Sequence, residues 1–179
     1  ISNDKFQMTN QIQNLNDQKI KKRIRITRVH LEEDTGRLMH DPANGASLVD
    51  FNRAGLPLME LVTEPDFRTG QEIIGFGEEL QKILRYVGAS DADMEKGQMR
   101  VEVNISLRES SIADGAQERP FGTKVEIKNI NSFKYAADAA DFEINRQTAV
   151  LERGEKIVQE TRGWNEHRKE SFSQRKKES

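Results

Sequence analysis

The segment from Gln98 to Arg108 alternates strictly between apolar and polar side chains for eleven residues. Successive side chains of a strand point to opposite faces, so this period of two predicts a long β-strand with one buried face. The apolar members are Met99, Val101, Val103, Ile105 and Leu107. Such a strand needs another element against its apolar side, which limits the chain to a layered fold.

A second alternating run, Thr123 to Asn129, follows a polar connection at residues 110–120. Val125 and Ile127 share one face, and Lys124, Glu126 and Lys128 share the other. We expect the two runs to pair as a hairpin. Shorter runs predict further strands at residues 23–29, 47–51, 58–62 and 156–161.

Two helices are expected beside these strands. Thr69 to Glu72 matches a capping box, in which the threonine hydroxyl and the glutamate carboxylate satisfy free backbone N–H groups. Apolar residues then recur at helical spacing until Gly88, a residue suited to a left-handed cap. A second apolar stripe begins after Ser132 and ends before Gly154. The sequence therefore predicts an α+β fold, a largely antiparallel sheet with amphipathic helices on one face.

Length and composition bound the organisation. The 179 residues are enough for one domain with a hydrophobic core, which we place at residues 21–164. Residues 1–20 are expected to be an irregular lead-in, and residues 165–179 a charged tail or linker. No run approaches the roughly 20 apolar residues of a membrane helix. The absence of cysteine excludes disulfides and thiol catalysis, and a net charge of -2 confines any nucleic-acid contact to local patches.

Charged residues on the predicted sheet allow two interpretations. They are Arg100, Glu102, Asn104, Lys124, Glu126 and Lys128 on the polar face, with Glu32, Glu33 and Asp34 in an acidic patch and Glu60 inside an apolar strand. One interpretation is a solvated face with cross-strand ion pairs. The other is a phosphate and magnesium site, because Mg²⁺ takes carboxylate oxygens while arginine and lysine neutralise phosphoryl charge.

Other motifs narrow the chemistry further. His30, His40 and His167 are isolated along the chain and are interpreted as structural or surface residues. The sequence has no glycine-rich dinucleotide motif, no Walker motif and no nucleophile elbow. An ATP site in this chain would therefore use a different kind of cradle.

Six runs of the sequence closely resemble GatB, one of the subunits of the tRNA-dependent amidotransferases. They are RITRVHLEEDTG at 25–36, SLVDFNRAGLPLMELV at 47–62, EPD at 64–66, MRVEVNIS at 99–106, EIKNINSF at 126–133 and QETRGW at 159–164. They stand in the family's order and cover residues 22–165, whereas the first 20 residues match only loosely.

The resemblance implies an ATP- and Mg²⁺-dependent step on a misacylated tRNA. The γ-phosphoryl group would pass to the side-chain carboxylate of Glu on tRNA(Gln), or of Asp on tRNA(Asn), and ammonia would displace phosphate. The resemblance implies a heterotrimer in which an amidase subunit releases the ammonia from glutamine and a small third subunit braces the pair. It implies a fold similar to glutamine synthetase and guanidino kinases. It implies no membrane, and either bacterial cytoplasm or an organelle matrix suits it.

The resemblance also implies site residues. Glu33, Glu60 and Glu126 match family acids that coordinate magnesium or shape its site, and Glu32 is a further metal candidate. On strand geometry, we predict that Arg100, Glu102, Asn104 and Lys128 contact phosphate or substrate. We expect the three matched glutamates to meet in one pocket.

Two features leave alternatives open. The family's Gly-Leu-Glu-x-His hairpin is not found in this sequence, so we expect the fragment to be inactive alone. Residues 162–179 carry six basic residues against three acidic ones, which suits a solvated linker or contact with RNA backbone. The alternatives are an archaeal paralogue specific for Glu-tRNA(Gln) and a non-catalytic tRNA-binding scaffold.

Overall fold

A computed structural model describes residues 7–13, 19–108 and 120–176, and side chains within 22–108 and 120–174. These residues form an α+β fold with antiparallel sheets and two helices, as predicted. The elements are β1 (Gln7–Gln13), β2 (Lys19–Glu33), β3 (Arg37–Asp41), β4 (Ala46–Asp50), β5 (Pro57–Thr63), α1 (Gly70–Tyr86), β6 (Val101–Ile105), β7 (Val125–Ile130), α2 (Phe133–Glu152), β8 (Glu160–Asn165) and β9 (Glu170–Lys176). Within these described ranges, neither helix is long and apolar enough to cross a membrane.

The chain divides into two compact units. The first contains β3, β4, β5 and most of β2, and the second contains both helices and strands β6 to β9. In the first unit, β2 pairs antiparallel with β5, and β3 with β4. The β3–β4 turn is fixed by Asp41, whose carboxylate accepts hydrogen bonds from the Ala43 N–H at 2.9 Å and the Asn44 amide at 2.8 Å.

The second unit is a four-stranded sheet in the order β6-β7-β8-β9. β6 and β7 form the predicted antiparallel hairpin, and α2 then carries the chain to β8, which runs parallel to β7. Helix α2 covers one face of this sheet through small residues, which allow a close approach of helix and strands. The buried cluster consists of Val103, Ile105, Ile127, Ile130, Ala136, Ala139, Ala140 and Trp164.

Both helices begin and end largely where their sequence signals stand. The Thr69 hydroxyl accepts from the Glu72 N–H at 3.3 Å, and the Glu72 carboxylate accepts from the Arg68 N–H at 2.7 Å. Gly88 adopts the left-handed conformation at φ 69° after α1. Helix α1 lies directly against α2 at Gly77, because a Cβ there would stand 2.4 Å from Cδ1 of Phe133.

A buried ion network joins α2 to β8 and β9. Glu143 is fully buried and accepts from Arg146 Nη2 at 2.6 Å and from the Gln147 amide at 2.9 Å. Its other oxygen accepts from Arg146 Nε at 2.9 Å and lies 3.8 Å from Arg162 Nε. Arg162 in turn donates to Glu160 at 2.6 Å. These bonds supply the partners that buried charges require.

Several strands differ from the sequence predictions. The strand predicted at 98–108 is confined to Val101–Ile105, and the one predicted at 156–161 is β8, shifted to Glu160–Asn165. Strands β1, β3 and β9 form where no strand was predicted, with β1 inside the expected irregular lead-in and β9 inside the expected charged tail. These strands are held in their sheets by backbone hydrogen bonds, and such bonds leave no alternation of apolar and polar residues from which a strand could be predicted.

Candidate functional site

The face of the four-stranded sheet opposite α2 carries a cluster of charged groups. The ammonium of Lys128 lies 3.1 Å from Glu102 Oε1 and 3.8 Å from Glu126 Oε1. Lys128 and Glu126 share this face because they are two residues apart on β7, while Val125 and Ile127 point into the core. Lys128, Glu102 and Glu126 therefore form one cation between two carboxylates.

The pKa of Lys128 is raised above its ordinary value. The largest cause is the hydrogen bond to Glu102, followed by burial, which opposes it, and the charges of Glu102 and Glu126. A lysine side chain is positively charged at neutral pH at its ordinary pKa, and the raised pKa extends this charged state to higher pH. Lys128 is therefore suited to neutralising anionic oxygens and not to acting as a general base.

Strand β8 fixes the second oxygen of Glu126. Thr161 is the parallel-strand partner of Glu126, and its hydroxyl donates to Glu126 Oε2 at 2.9 Å. The Glu126 side chain is only 19% exposed, which limits the conformations available to its carboxylate. The next residue of β8, Arg162, points to the opposite face and joins the ion network of Glu143.

The remaining predicted residues of this unit flank the cluster. Asn104 is the antiparallel partner of Glu126 and is exposed on the same face. Arg100 immediately precedes β6 and is also exposed. The structure thus brings Glu102, Asn104, Glu126 and Lys128 together on one sheet face, with Arg100 at its edge.

The first unit holds a separate group of possible metal ligands. Ligand atoms of His30, Glu32 and Glu60 all lie within 4.8 Å of one another, and all three residues are exposed. His30 stands opposite Glu60 in the β2–β5 pair, with its Nδ1 3.7 Å from Glu60 Oε2. Arg28 donates to the same oxygen at 3.2 Å. Glu60 is therefore a partnered carboxylate on edge strand β5.

Glu33 is placed differently from the other predicted acids of this unit. It pairs with Pro57 at the end of β2, one residue beyond Glu32, so strand alternation points it to the face opposite Glu60. The structure therefore brings Glu32, not Glu33, beside Glu60. The expected meeting of Glu33 with Glu60 is therefore not found in the first unit. Because Glu126 belongs to the second unit, its meeting with either of them stays a prediction.

The sequence predicts that His30 is a structural or surface residue. In the structure it is exposed and lies beside the carboxylates of Glu32 and Glu60. A signal for this placement is present in the sequence. His30 and Glu32 are two residues apart, and an unbroken strand through both puts them on one face. The strand predicted from the sequence ends at Val29, whereas β2 continues to Glu33, so the prediction did not place His30 and Glu32 on a strand.

Both groups fit a divalent cation by their donor chemistry. Glu32 and Glu60 offer hard oxygens beside an imidazole. Lys128 already partly neutralises Glu102 and Glu126, so a divalent cation there would bind together with anionic phosphate oxygens. A pocket of about 240 Å³ elsewhere in the second unit, lined by Leu107, Gln147 and Leu151 among others, includes none of the predicted site residues. It therefore has no role in the charge clusters.

Comparison with known proteins gives the family. The family described as the GatB/GatE catalytic domain matches residues 3–179. The chain belongs to this family. GatB relatives are similar over most of the chain: the GatB subunit of the aspartyl/glutamyl-tRNA(Asn/Gln) amidotransferase of Trichormus variabilis is 52% identical over 163 residues, covering 88% of this chain and 32% of the relative.

Relatives from other lineages give the same result. The GatB subunit of the same enzyme from Lachnoclostridium phytofermentans is 47% identical over 159 residues, 89% of this chain and 32% of the relative. The B-1 subunit of the chloroplastic/mitochondrial glutamyl-tRNA(Gln) amidotransferase of Micromonas pusilla is 49% identical over 161 residues, 87% of this chain and 28% of the relative. The chain thus spans about a third of the length of the GatB relatives it matches.

Proposed function

We propose that this GatB-family chain carries the carboxylate-activating site of a tRNA-dependent amidotransferase. ATP would phosphorylate the side-chain carboxylate of Glu on tRNA(Gln) or Asp on tRNA(Asn), releasing ADP. Ammonia would then form the C–N bond as phosphate departs, giving the amide. The observation that carries this proposal is the Glu102–Lys128–Glu126 cluster, two carboxylates around a cation on the sheet face opposite α2.

The described residues suit phosphoryl transfer, which depends more on positioning and charge neutralisation than on a protein nucleophile. Lys128 and Arg100 would bind phosphoryl oxygens, because each carries a fixed positive charge. Glu102 would hold Lys128 charged through their 3.1 Å contact. Asn104, opposite Glu126, would bind substrate through its amide.

The acidic residues would hold Mg²⁺. Glu126 would do so in the β7 cluster, and Glu60 and Glu32 would do so in the first unit, with His30 beside them. Glu33, on the opposite face of β2, would shape the site of that unit without sharing an ion with Glu60. Bound Mg²⁺ would neutralise phosphate charge and orient the triphosphate. Thr161 restrains the carboxylate of Glu126, whose side chain is 19% exposed, whereas Arg28 contacts Glu60 as an exposed surface pair.

The proposal extends to partners and location. Ammonia would come from a partner amidase subunit that hydrolyses glutamine, a small third subunit would brace the pair, and misacylated tRNA would be the substrate. The cradle would be of the glutamine synthetase and guanidino kinase type. Bacterial and chloroplastic/mitochondrial GatB relatives make bacterial cytoplasm or an organelle matrix the proposed location. A non-catalytic scaffold is the second candidate. The convergence of Glu32, Glu60 and His30, whose ligand atoms lie within 4.8 Å of one another, favours the enzyme, because a scaffold does not need converging carboxylates.

The deciding experiment replaces Glu126 by glutamine in the assembled amidotransferase. We expect at least about a 100-fold loss of tRNA-dependent ADP release, with glutamine hydrolysis still measurable, because a metal ligand is lost and the glutaminase site is not. Glu33→Ala is expected to give the same pattern. Glu79→Gln, on the exposed side of α1, is the matched control and should retain both activities.

The outcomes separate the two candidates. ADP release at the level of the control in Glu126→Gln would remove Glu126 from the mechanism. If Glu126→Gln, Glu33→Ala and Glu60→Gln all retained tRNA-dependent ADP release, the activating site would have to lie elsewhere. The scaffold candidate would then be the better description of this chain.

A further inference from the structure

We infer that Thr161 is a positioning residue that orients the Glu126 carboxylate for metal binding, an inference that rests on the proposed function. The Thr161 hydroxyl donates to Glu126 Oε2 at 2.9 Å, and Lys128 lies 3.8 Å from Oε1. Each oxygen of Glu126 thus faces a different donor. A cation that displaced the lysine contact would find Oε1 presented in a fixed orientation.

The backbone makes this contact specific to position 161. Glu126 and Thr161 are register partners in the parallel β7–β8 pair, so their side chains leave the same face side by side. Thr161 is itself 9% exposed and β-branched, which restricts its χ1 rotation. The position of the hydroxyl is therefore set by the pairing of the two strands and by a short side chain with little rotational freedom.

The residues of β8 that flank Thr161 contact groups on both faces of the strand. Glu160 and Arg162 point to the α2 face, where Arg162 donates to Glu160 at 2.6 Å and to the carbonyl of Ser171 at 2.8 Å. On the Thr161 face the next position is Gly163, where a Cβ would stand 2.5 Å from the ring of Phe172. Arg162 thus ties β8 to β9 directly beside Thr161, where the β8–β9 register shifts between positions 161 and 162.

A partner that orients a ligating carboxylate contributes to metal affinity without touching the metal. Loss of such a partner typically costs on the order of 10- to 100-fold in affinity or activity. We expect Thr161→Val to weaken cation binding by roughly 10-fold, the low end of that range, because the β7–β8 pairing and the low exposure of the Glu126 side chain still limit its conformations. Thr161→Ser keeps the hydroxyl and should bind the cation nearly as the wild type does.

The experiment measures Mn²⁺ binding to the assembled amidotransferase by electron paramagnetic resonance, with no turnover required. Thr27→Val is the matched control, because the Thr27 hydroxyl donates to the Glu64 carboxylate at 3.0 Å and Glu64 is not a proposed ligand. We expect reduced Mn²⁺ affinity in Thr161→Val, wild-type affinity in Thr27→Val and near-wild-type affinity in Thr161→Ser. Thr161→Ala serves in place of Thr161→Val if the latter does not assemble.

Glu126→Gln distinguishes failure of this inference from failure of the proposed function. If Glu126→Gln loses Mn²⁺ binding while Thr161→Val and Thr161→Ala bind as the wild type does, Thr161 has no positioning role and the proposed function stands. If Glu126→Gln itself keeps wild-type Mn²⁺ affinity and ADP release, the assignment of Glu126 fails and the inference fails with it. Equal weakening in Thr161→Ser and Thr161→Val would also overturn the role of the hydroxyl.

Discussion

Glu143→Gln tests whether the buried ion network holds α2 against the four-stranded sheet. Glu143 is fully buried, and its two oxygens accept four hydrogen bonds, from Arg146 twice, from Gln147 and from Ser171. Glutamine has nearly the same shape but only one accepting oxygen. Its amide nitrogen would then face N–H donors of Arg146 or Gln147, and the buried negative charge would be gone.

The expected loss follows from these contacts. Two hydrogen bonds are lost, and bonds to charged groups contribute about 1.5–3 kcal/mol each. Removing one partner of a buried ion pair costs about 3–5 kcal/mol, because the other partner is left without compensation. Here the partners left without compensation are Arg162, whose side chain is 13% exposed, and Arg146, whose side chain is 25% exposed. We expect a loss of about 3 kcal/mol in the free energy of unfolding.

Urea denaturation followed by tryptophan fluorescence measures this loss. Trp164 is the one tryptophan of the chain, is 5% exposed and contacts Phe142, so its emission reports on α2 and β8 together. With a slope of roughly 2 kcal/mol per M of urea, the midpoint should fall by about 1.5 M. Glu152→Gln, exposed at the end of α2, should change stability by less than about 0.5 kcal/mol. A Glu143→Gln midpoint equal to that of Glu152→Gln would refute the reasoning.

Two further predictions concern the same unit. Gly77→Ala should lower stability by about 3 kcal/mol in the same assay, because the added methyl meets the Phe133 ring at 2.4 Å. Gly88→Ala, in open space but at φ 69°, should cost only about 1 kcal/mol, and equal effects would contradict the close helix contact. Burial alone would raise the pKa of Glu160, but hydrogen bonds from Ser173 and Arg162 lower it below 4.5. The stability that this carboxylate contributes is therefore complete above pH 4.5 and is lost as the pH falls through its lower folded-state pKa. Glu160→Gln should flatten the decline in melting temperature below pH 4.5, and an unchanged decline would contradict this.

The strongest sequence signals concerned the buried face of the second unit. Alternation in β6 and β7 placed Val103, Ile105, Val125 and Ile127 in the core, and all four are buried. Capping chemistry marked the start of both helices, at Thr69 and Ser132. These features were predictable because burial and caps leave local patterns of apolar and polar residues.

Strand pairing was less accessible to sequence reasoning. The parallel pairing of β7 with β8 depends on the path of α2, and the contact of Thr161 with Glu126 joins residues 35 positions apart. The separation of Glu32 from Glu33 depends on β2 continuing as a regular strand to its end, opposite β5. A local sequence pattern predicts neither the β7–β8 nor the β2–β5 register, because each depends on backbone hydrogen bonds between segments that are distant in the sequence.

Strand β8 turns its odd-numbered Thr161 and Gly163 toward the charged cluster and its even-numbered Glu160, Arg162 and Trp164 toward α2. The packing against α2 and the contact with the charged cluster therefore depend on the same strand register, because a slip by one position would exchange every side chain between the two faces. The Trp164 ring would then enter water, and the guanidinium of Arg162 would replace the hydroxyl of Thr161 at Glu126. Purely structural residues beneath the sheet, such as Glu143, thereby maintain the chemistry on its far side.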